Sequence, residues 1–129
     1  MRIYPPRKVY VDKSPIHGLG VFASELIHKD DIIEVCPLYD LNLNMEEESD
    51  VMKNYRFNWP QGPNPTSLVL PWGYGCIYNH SEKANASWRS NIKNFTFEFF
   101  AIKDIEIGEE ICTYYGGENY WSDKKVQLV

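Results

Sequence analysis

Two short segments of the chain concentrate side chains that proteins use for catalysis: Tyr78-Asn79-His80-Ser81, and Gly108-Glu109-Glu110-Ile111 with Tyr115-Gly116 close behind. Imidazole and carboxyl groups move protons, and phenol and amide groups orient substrates through hydrogen bonds. Glu109 and Glu110 are adjacent, and neighbours on a strand point to opposite faces of a sheet. We therefore expect one carboxylate to be structural and the other to meet solvent, rather than a working acid/base pair.

Two common kinds of site are not predicted. Gly18-Leu19-Gly20 lacks the third glycine and the Lys-Ser/Thr ending of a phosphate-binding loop. The three cysteines, Cys36, Cys76 and Cys112, are far apart, and the sequence has no C-x-x-C pair. Zinc clusters use closely spaced cysteines, so no metal is predicted. We interpret the cysteines as buried free thiols in a reducing compartment.

The composition is that of a soluble globular protein with an excess of aromatic residues. The 129 residues, 43% hydrophobic and 24% charged, fit a single domain that spans residues 1–129. Aromatic residues make up 15%, including nine Tyr and four Trp, so aromatic surfaces beyond the core are expected.

The net charge of −5 bears on the partners. No basic surface for a phosphate backbone is evident, so direct nucleic-acid binding is not predicted, whereas a Lys-rich partner suits an acidic protein. Residues 1–6 contain no apolar signal core, and no later run approaches the ~18 apolar residues of a membrane span. We expect no membrane association and a cytoplasmic protein, or a nuclear one if the source is eukaryotic or viral.

Short β-prone runs separated by turn residues predict a mainly β domain. The predicted strands are Val9–Val11, Val21–Ala23, Ile32–Cys36, Tyr55–Trp59, Ser67–Leu70 and Phe95–Phe100. Pro37 and Pro71 are expected to end the third and fifth of these, because proline cannot donate to a sheet ladder. One short helix is predicted at roughly residues 45–54, where Asn44 can cap the first turn and acidic residues favour it through the helix dipole.

The chain also repeats a pattern of about a dozen residues. Phe22-Ala23, followed by Ile27, Asp30-Asp31 and Ile33, recurs with the same spacing as Phe100-Ala101, followed by Ile105, Gly108-Glu109 and Ile111. We interpret each unit as a strand, a polar corner and a second strand, with apolar residues anchoring both arms. Two similar β corners are therefore predicted, and a chance match over so few residues is the alternative.

Three segments occur in an order and at spacings that resemble the SET domain family. Gly18-Leu19-Gly20 resembles its G-x-G motif, Asn79-His80-Ser81 with Asn85 its N-H-S-x-x-x-N motif, and Gly108–Gly116 its G-E-E-[LI]-x-x-x-Y-G motif. The resemblance covers about residues 8 to 121 and is greatest to compact viral and bacterial members without zinc-binding flanks. It implies several small curved sheets and a C-terminal pseudoknot that brings Asn79 and His80 beside Tyr115. An insert at about residues 41–70 and a tail at 117–129 complete the expected domain.

The resemblance implies an activity, S-adenosylmethionine-dependent methyl transfer to the side-chain amine of lysine in a protein. The attacking amine must be neutral, and neutralising a free lysine at pH 7 costs roughly 4.6 kcal/mol because its pKa is about 10.4. A narrow apolar channel and a nearby sulfonium both lower that pKa, and alignment of nitrogen, methyl carbon and sulfur supplies much of the rate. Such a site needs an aromatic channel, a cofactor pocket and a hydroxyl at their junction, and it needs no metal.

The resemblance also assigns roles to individual residues. Tyr115 is implied to be the catalytic hydroxyl at the junction of the channel and the methyl group, with a buried core tyrosine as the alternative. Asn79 would hold the amino-acid end of the cofactor, and His80 would hold it mainly through its backbone; a core histidine is the alternative for His80. The implied cofactor-binding residues are Gly18, Leu19, Gly20, Asn79, His80, Tyr115, Tyr120 and Trp121. The implied lysine-channel residues are Tyr55, Phe57, Tyr74 and Thr113, with core packing the alternative for Tyr55 and Phe57.

Two features leave the specificity open. Thr113 stands two residues before Tyr115, where relatives often place Phe or Tyr, and the residue there helps to set how many methyl groups are added. A small residue suggests a roomier pocket, but the sequence does not decide between mono-, di- and trimethylation. The acidic charge fits a histone or another basic protein as the substrate, without naming one.

Two other hypotheses compete with the enzyme. A catalytically inactive module of the same fold could bind a Lys-rich peptide without methyl transfer, and a structural β domain could match the motifs by chance. The presence of Tyr115 and Asn79 favours an active enzyme over the first hypothesis. The match of three motifs in order disfavours the second.

The absence of a Cys-rich flank after Trp121 motivates a prediction about assembly. Closure of the lysine channel is expected to come from residues 117–129 or from a partner subunit, and a homodimer is therefore predicted. Sedimentation and methyl-transfer assays over the same concentration series test this, because activity should fall as the dimer dissociates. A strictly monomeric protein that is fully active at nanomolar concentration would contradict the prediction.

Overall fold

The computed structural model describes residues 1–42 and 55–115, and within these ranges the chain forms nine β-strands and no helix. In chain order the strands are β1 Val9–Lys13, β2 Leu19–Ala23, β3 Ile32–Asp40, β4 Phe57–Trp59, β5 Ser67–Pro71, β6 Asn79–His80, β7 Ala86–Asn91, β8 Thr96–Ala101 and β9 Glu110–Thr113. The prediction of a mainly β domain is confirmed. The helix predicted near residues 45–54 lies outside the described residues. Nothing in the described ranges forms a helix long and apolar enough to cross a bilayer.

The strands pair along one path, β1-β2-β9-β7-β8-β3-β5-β4, and β6 pairs with β9 beside this path. Strand β9 is a junction, because it pairs antiparallel with β2 and parallel with both β6 and β7. Strand β3 is a second junction, since its first part pairs with β8 and its last part with β5. Small sheets that share strands therefore build the fold, and β9 joins elements from both ends of the described sequence.

Strand β8 supplies the centre of the core, because its alternate residues Phe97, Phe99 and Ala101 are fully buried. Such alternation is expected of a strand whose one face packs inward. The ring of Phe97 contacts Phe57 at 5.4 Å between centroids, and Phe99 stacks on Tyr78 at 4.5 Å. Burial of side chains of this size stabilises the fold by roughly 1.5–3 kcal/mol each. Strand β8 thus holds both β4 and the segment that leads into β6.

Strand β3 continues past Pro37, so the prediction that it ends there is wrong. Pro37 pairs with Thr96 of β8, and the next residue, Leu38, pairs with Pro71 of β5. Because proline has no N–H to donate, it fits a position at which a strand changes partners. The Pro37 carbonyl still accepts a hydrogen bond from Trp72 N–H at 2.9 Å. Pro71, also expected to lie beyond its strand, is the last residue of β5.

The sequence does not predict β7, whose residues lack the β-branched side chains typical of strands. Tertiary pairing explains it: β7 runs antiparallel to β8 over six residue pairs and meets β9 in parallel at Ala86. Arg89 of β7 adds a salt bridge to Glu98 of β8, with 2.7 Å between Nε and Oε1. Hydrogen bonding to two neighbours therefore compensates for a low β propensity.

The repeat seen in the sequence corresponds to two β corners that bind each other. Ile27 and Ile105 occupy equivalent positions, exchange backbone hydrogen bonds of 2.9 and 2.8 Å, and are fully buried. Asp31 in the first corner and Glu109 in the second each accept, through a side-chain oxygen, the backbone N–H three residues earlier, at 3.1 and 2.9 Å. Equivalent residues thus make equivalent contacts in the two corners.

Each corner also closes against the strand that leads into the other. The N–H of Ala23 at the end of β2 donates to the Glu109 carbonyl at 3.0 Å. Its equivalent, Ala101 at the end of β8, donates to the Asp31 carbonyl, also at 3.0 Å. This reciprocal pattern confirms the predicted pair of β corners.

The contact between the corners can be tested by cavity formation. Because Ile105 is fully buried there, Ile105→Ala should lower the free energy of unfolding by about 2–5 kcal/mol, through lost burial and a residual cavity. Urea denaturation followed by tryptophan fluorescence measures the change. Ile107→Ala is the matched control, since Ile107 lies in the same corner and is 70% exposed; it should lose less than about 0.5 kcal/mol. Equal losses in the two variants would contradict the role assigned to this contact.

Candidate functional site

Two of the sequence motifs meet where β6 lies beside β9. The pairing is parallel, with Asn79 opposite Cys112 and His80 opposite Thr113. Just after β9, the Tyr115 N–H donates to His80 Nδ1 at 3.0 Å. Asn79 and His80 therefore lie beside Tyr115, as the resemblance predicts, although 35 residues separate His80 from Tyr115 in the sequence.

Asn85 stabilises the contact between the β6 segment and β9. Its side-chain amide donates to the Glu110 carbonyl at 2.9 Å, and its amide oxygen accepts from Cys112 N–H at 2.9 Å. Its backbone N–H also donates to the Cys112 carbonyl at 3.2 Å. Asn85 is only 6% exposed, so these bonds satisfy a buried amide that would otherwise destabilise the fold. The last residue of the N-H-S-x-x-x-N motif is thus a structural clamp on β9.

Asn79 joins the glycine turn to the same place. Its side-chain nitrogen lies within hydrogen-bond distance of three acceptors: the carbonyls of His17 and Leu19, at 3.1 and 3.0 Å, and Glu110 Oε2, at 2.8 Å. The first two acceptors flank Gly18 where the turn leads into β2, and the third begins β9. One buried amide therefore connects all three sequence motifs.

Glu110 is the acceptor at the centre of this contact. Besides Asn79, its carboxylate accepts a hydrogen bond from Ser14 Oγ at 2.7 Å. A methyl group on Gly20 would overlap with the carboxylate, which gives a packing reason for a glycine at that position. Glu109 is exposed and caps only its own corner. The prediction that one of the adjacent carboxylates is structural and the other meets solvent is confirmed.

The turn at Gly18 has the space and the polar atoms that a cofactor requires. Gly18 has a φ of +48°, and no atom of residues 1–42 or 55–115 lies within 4 Å of the place its Cβ would occupy. Leu19 beside it is 55% exposed. The amide oxygen of Asn79 accepts no hydrogen bond from any residue in 1–42 or 55–115. That oxygen can accept from an ammonium group, so these residues fit the amino-acid end of S-adenosylmethionine.

His80 supports the backbone that carries Tyr115. Its half-buried ring packs against the rings of Tyr114 and Tyr115, at 5.2 and 5.4 Å between centroids. Burial lowers the pKa of His80 below its ordinary value, although Glu82 acts in the opposite direction. A neutral imidazole has one nitrogen lone pair to offer, and Nδ1 uses it for the Tyr115 N–H. His80 is therefore a fixed support and is not assigned as a general base.

The phenol of Tyr115 is held by a backbone carbonyl, because its hydroxyl donates to the carbonyl oxygen of Tyr78. With its proton donated to that carbonyl, the phenol oxygen can act only as an acceptor toward any further partner. Tyr78 is itself 1% exposed, and its ring stacks on Phe99. A fully buried residue therefore sets the direction of the Tyr115 hydroxyl.

An aromatic cavity of about 280 Å³ opens beside Tyr115. Its aromatic walls are Phe57, Trp88, Tyr114 and Tyr115, and the rest of its lining is Arg56, Asn58, Gln61 and Gly62. Aromatic faces attract ammonium groups, and apolar walls suit the methylene stem of a lysine. The lining of the cavity therefore suits a lysine side chain.

Trp88 is a site residue that the sequence interpretation does not name. Its ring meets Phe57 edge-on at 5.2 Å and Tyr115 edge-on at 6.5 Å. Alternation along β7 places Trp88 on the same face as Ala86, the residue that pairs with β9. The sequence signal that could have identified Trp88 is the two-residue alternation of a strand, counted from Ala86.

Three of the predicted lysine-channel residues do not line the part of this cavity that the structure describes. Tyr55 is 49% exposed, and Tyr74 is half-buried against the core. Thr113 is 1% exposed, and its hydroxyl has no hydrogen-bond partner within the described ranges. Phe57 alone of the predicted four lines the cavity. Two predicted cofactor residues, Tyr120 and Trp121, lie outside the described residues.

A second, larger cavity of about 480 Å³ lies between residues 1–8 and the start of β3. It contains no residue of the three sequence motifs. The smaller cavity, which has Tyr115 in its wall, is therefore the candidate active site.

Among the described residues, no group of three or more His, Cys, Asp or Glu side chains is arranged to hold a metal ion. Cys112 lies on β9, and burial raises the pKa of its thiol to about 12. Cys36 is fully buried, and burial raises its pKa further. Both thiols are protonated at neutral pH, so neither is a nucleophile there.

Comparisons with known proteins agree with this geometry. The SET domain family model matches residues 18–116, which is most of the chain. A histone-lysine N-methyltransferase of Schizosaccharomyces pombe, specific for H3 lysine-37, is 27% identical over 110 residues, which cover 83% of this chain and 72% of that protein. The crystal structure of a candidate histone methyltransferase from Plasmodium falciparum matches with a TM-score of 0.71 and 33% identity, covering 87% of this chain and 96% of that one. With motifs, fold and family model in agreement, the chain belongs to the SET domain family of lysine methyltransferases.

Proposed function

We propose that this enzyme transfers a methyl group from S-adenosylmethionine to the side-chain amine of a lysine in a protein substrate. The observation that carries the proposal is the position of Tyr115 between the aromatic cavity and the Asn79 segment. Tyr115 lines the aromatic cavity, and its N–H and hydroxyl bind His80 and Tyr78, the two residues that flank Asn79. A phenol in this position can orient the substrate amine through a hydrogen bond, while the Asn79 segment holds a cofactor on the other side.

The Tyr115 phenol is suited to orient the attacking amine. When bound, S-adenosylmethionine would supply a methyl group on a positively charged sulfur: the amine nitrogen would bond to the methyl carbon as the carbon–sulfur bond breaks, and the sulfur would leave as a neutral thioether. Because the phenol O–H donates its hydrogen bond to the Tyr78 carbonyl, the phenol oxygen can accept a hydrogen bond from an N–H of the amine. That bond fixes the direction of the nitrogen lone pair and stabilises the positive charge that develops on nitrogen.

The cavity walls favour the neutral amine that the reaction requires. Phe57 and Trp88 replace water around the amine, and desolvation lowers the pKa of a lysine. Cation–π attraction to the same rings lessens the free-energy cost of admitting the ammonium form. Since His80 Nδ1 already accepts the Tyr115 N–H, we assign the departing proton to solvent.

The substrate we propose is a lysine-containing protein, such as a histone or another basic protein. The relatives described above are histone methyltransferases by name. The net charge of −5 favours a cationic substrate through electrostatic attraction. Such a substrate is consistent with a cytoplasmic or nuclear enzyme. Methylation of a peptide array would define the residues around the target lysine.

Removal of the Tyr115 hydroxyl tests the catalytic role. Tyr115→Phe should lower kcat/KM for a Lys-rich peptide roughly 10- to 100-fold, because a hydrogen bond to a developing charge is lost. Transfer of a tritiated methyl group measures this. Tyr10→Phe is the control, since Tyr10 lies on the edge strand β1 and is 41% exposed; its rate should not change. An unchanged rate in Tyr115→Phe would remove Tyr115 from its assigned role.

Calorimetry with S-adenosylmethionine tests the cofactor assignment. Asn79→Ala should weaken binding roughly tenfold or more, because the variant loses an acceptor for the ammonium group and the hydrogen bonds that hold the Gly18 turn. Asn94→Ala is the control, since Asn94 is exposed in the turn between β7 and β8. No binding by the unaltered chain would favour a structural β domain. Binding without methyl transfer would favour a peptide-binding module.

A further inference from the structure

Glu34 is a buried carboxylate that the chemistry described above does not use. It stands in β3 between apolar neighbours and is 3% exposed. Burial of a carboxylate is unfavourable unless hydrogen-bond donors satisfy its oxygens. The partners of Glu34 therefore indicate what this residue holds in place.

Both oxygens of Glu34 bind the segment 72–78, which we name the Tyr78 loop. Oε2 accepts the backbone N–H of Tyr74 at 2.9 Å, and Oε1 accepts the hydroxyl of Tyr78 at 2.6 Å. Gly73 has a φ of +80°, and a methyl group there would overlap with Oε2. The backbone of the Tyr78 loop is thus shaped around the carboxylate, which holds it at both its start and its end.

The Tyr78 loop ends at the candidate active site. Tyr78 immediately precedes Asn79, and its carbonyl oxygen accepts the Tyr115 hydroxyl. A change in the Tyr78 backbone would therefore move the acceptor that sets the direction of the Tyr115 phenol. The stack of Tyr78 on Phe99 limits tilting of the ring, and the hydroxyl bond to Glu34 limits its sliding in the plane of the stack.

We propose that Glu34 is a positioning residue for methyl transfer, which acts through the Tyr78 loop to fix the Tyr78 carbonyl and hence the Tyr115 hydroxyl. Its carboxylate is buried and both its oxygens are bonded within the loop, so it acts through Tyr78 rather than on the reacting atoms. This inference rests on the proposed function, because its consequence is a rate of methyl transfer.

The ionised form of Glu34 suits this role. The Tyr74 N–H and the Tyr78 hydroxyl both donate to Glu34, and an ionised carboxylate accepts both in charge-assisted hydrogen bonds. An amide or a protonated acid that keeps the Tyr74 bond would make the Tyr78 hydroxyl reverse and accept, in a weaker neutral bond. Burial raises the pKa of Glu34, while its hydrogen bonds from Tyr74, Tyr78 and Cys36 act in the opposite direction. Glu34→Gln keeps the volume of the side chain and changes only this match, which makes it the informative variant.

Steady-state kinetics of two variants give the first test. Glu34→Gln weakens the contact between Glu34 and Tyr78, and Tyr78→Phe removes it. Each variant should lower kcat about fivefold to tenfold, with KM for a Lys-rich peptide within about twofold. Glu98→Gln is the matched control, because Glu98 accepts hydrogen bonds from Arg89 and Asn91 away from the Tyr78 loop; its kcat should not change. If Glu34→Gln does not fold, Tyr78→Phe decides the question.

A double-mutant cycle separates positioning from a general loss of stability. In a Tyr115→Phe background there is no hydroxyl to position, so Glu34→Gln should lower kcat no further. A purely structural role would give the same fold loss in both backgrounds and would overturn the proposal. An unchanged kcat in both single variants would also overturn it.

A spectroscopic readout keeps the proposal independent of activity. Carbon-13 labelling of tyrosine at Cζ gives a signal for Tyr115 that is assigned by its loss in Tyr115→Phe. That signal should shift in Glu34→Gln and in Tyr78→Phe but not in Glu98→Gln, and an unmoved signal would contradict the proposal. Absence of methyl transfer in the unaltered protein would contradict the proposed function, and the Tyr115 signal would still decide whether Glu34 positions the phenol.

Discussion

Parallel pairing of β6 with β9 is the constraint on which the candidate site depends. Strand β6 has only two residues, so its own ladder is weak. Further hydrogen bonds hold the segment in register: the Ser81 N–H donates to β9, and the Asn85 side chain both donates to β9 and accepts from it. Parallel neighbours need a long connection, and here that connection contains β7 and β8, which also supply the core and the cavity wall. The position of Tyr115 beside His80 is therefore a consequence of the whole fold.

Most polar residues of the motifs hold backbone rather than perform chemistry. The side chains of Asn79, Asn85 and Glu110 are bonded to one another or to the main chain, where they satisfy groups that would otherwise be buried without partners. Tyr115 differs, because it lines an aromatic cavity while the Tyr78 carbonyl sets the direction of its hydroxyl. Most motif residues therefore stabilise the junction of strands, and Tyr115 is the residue placed for chemistry. Structural hydrogen bonds of this kind occur in many folds, so no single motif is diagnostic by itself.

The errors of the sequence interpretation have a common physical origin. Pro37 was expected to end β3 because a proline lacks a donor, but the strand changes partners at that residue and needs no donor there. Strand β7 has low β propensity and is stabilised by β8 and β9 on its two sides. Trp88 and Glu34 lie on strands whose inward face is defined only by such neighbours. Local pattern cannot show which neighbour a strand will have.

The sequence by itself determined the strand-rich class, the pair of β corners, the unequal roles of Glu109 and Glu110, and the family resemblance that points to Tyr115. These follow from local spacing, because alternation and repetition of residues are properties of the sequence that do not depend on tertiary contacts. Only the tertiary structure decided that Asn79 binds Glu110, that Trp88 faces Tyr115, and that Glu34 holds the loop before Asn79. Those contacts join strands far apart in the chain, and their free energy exists only after the strands have paired.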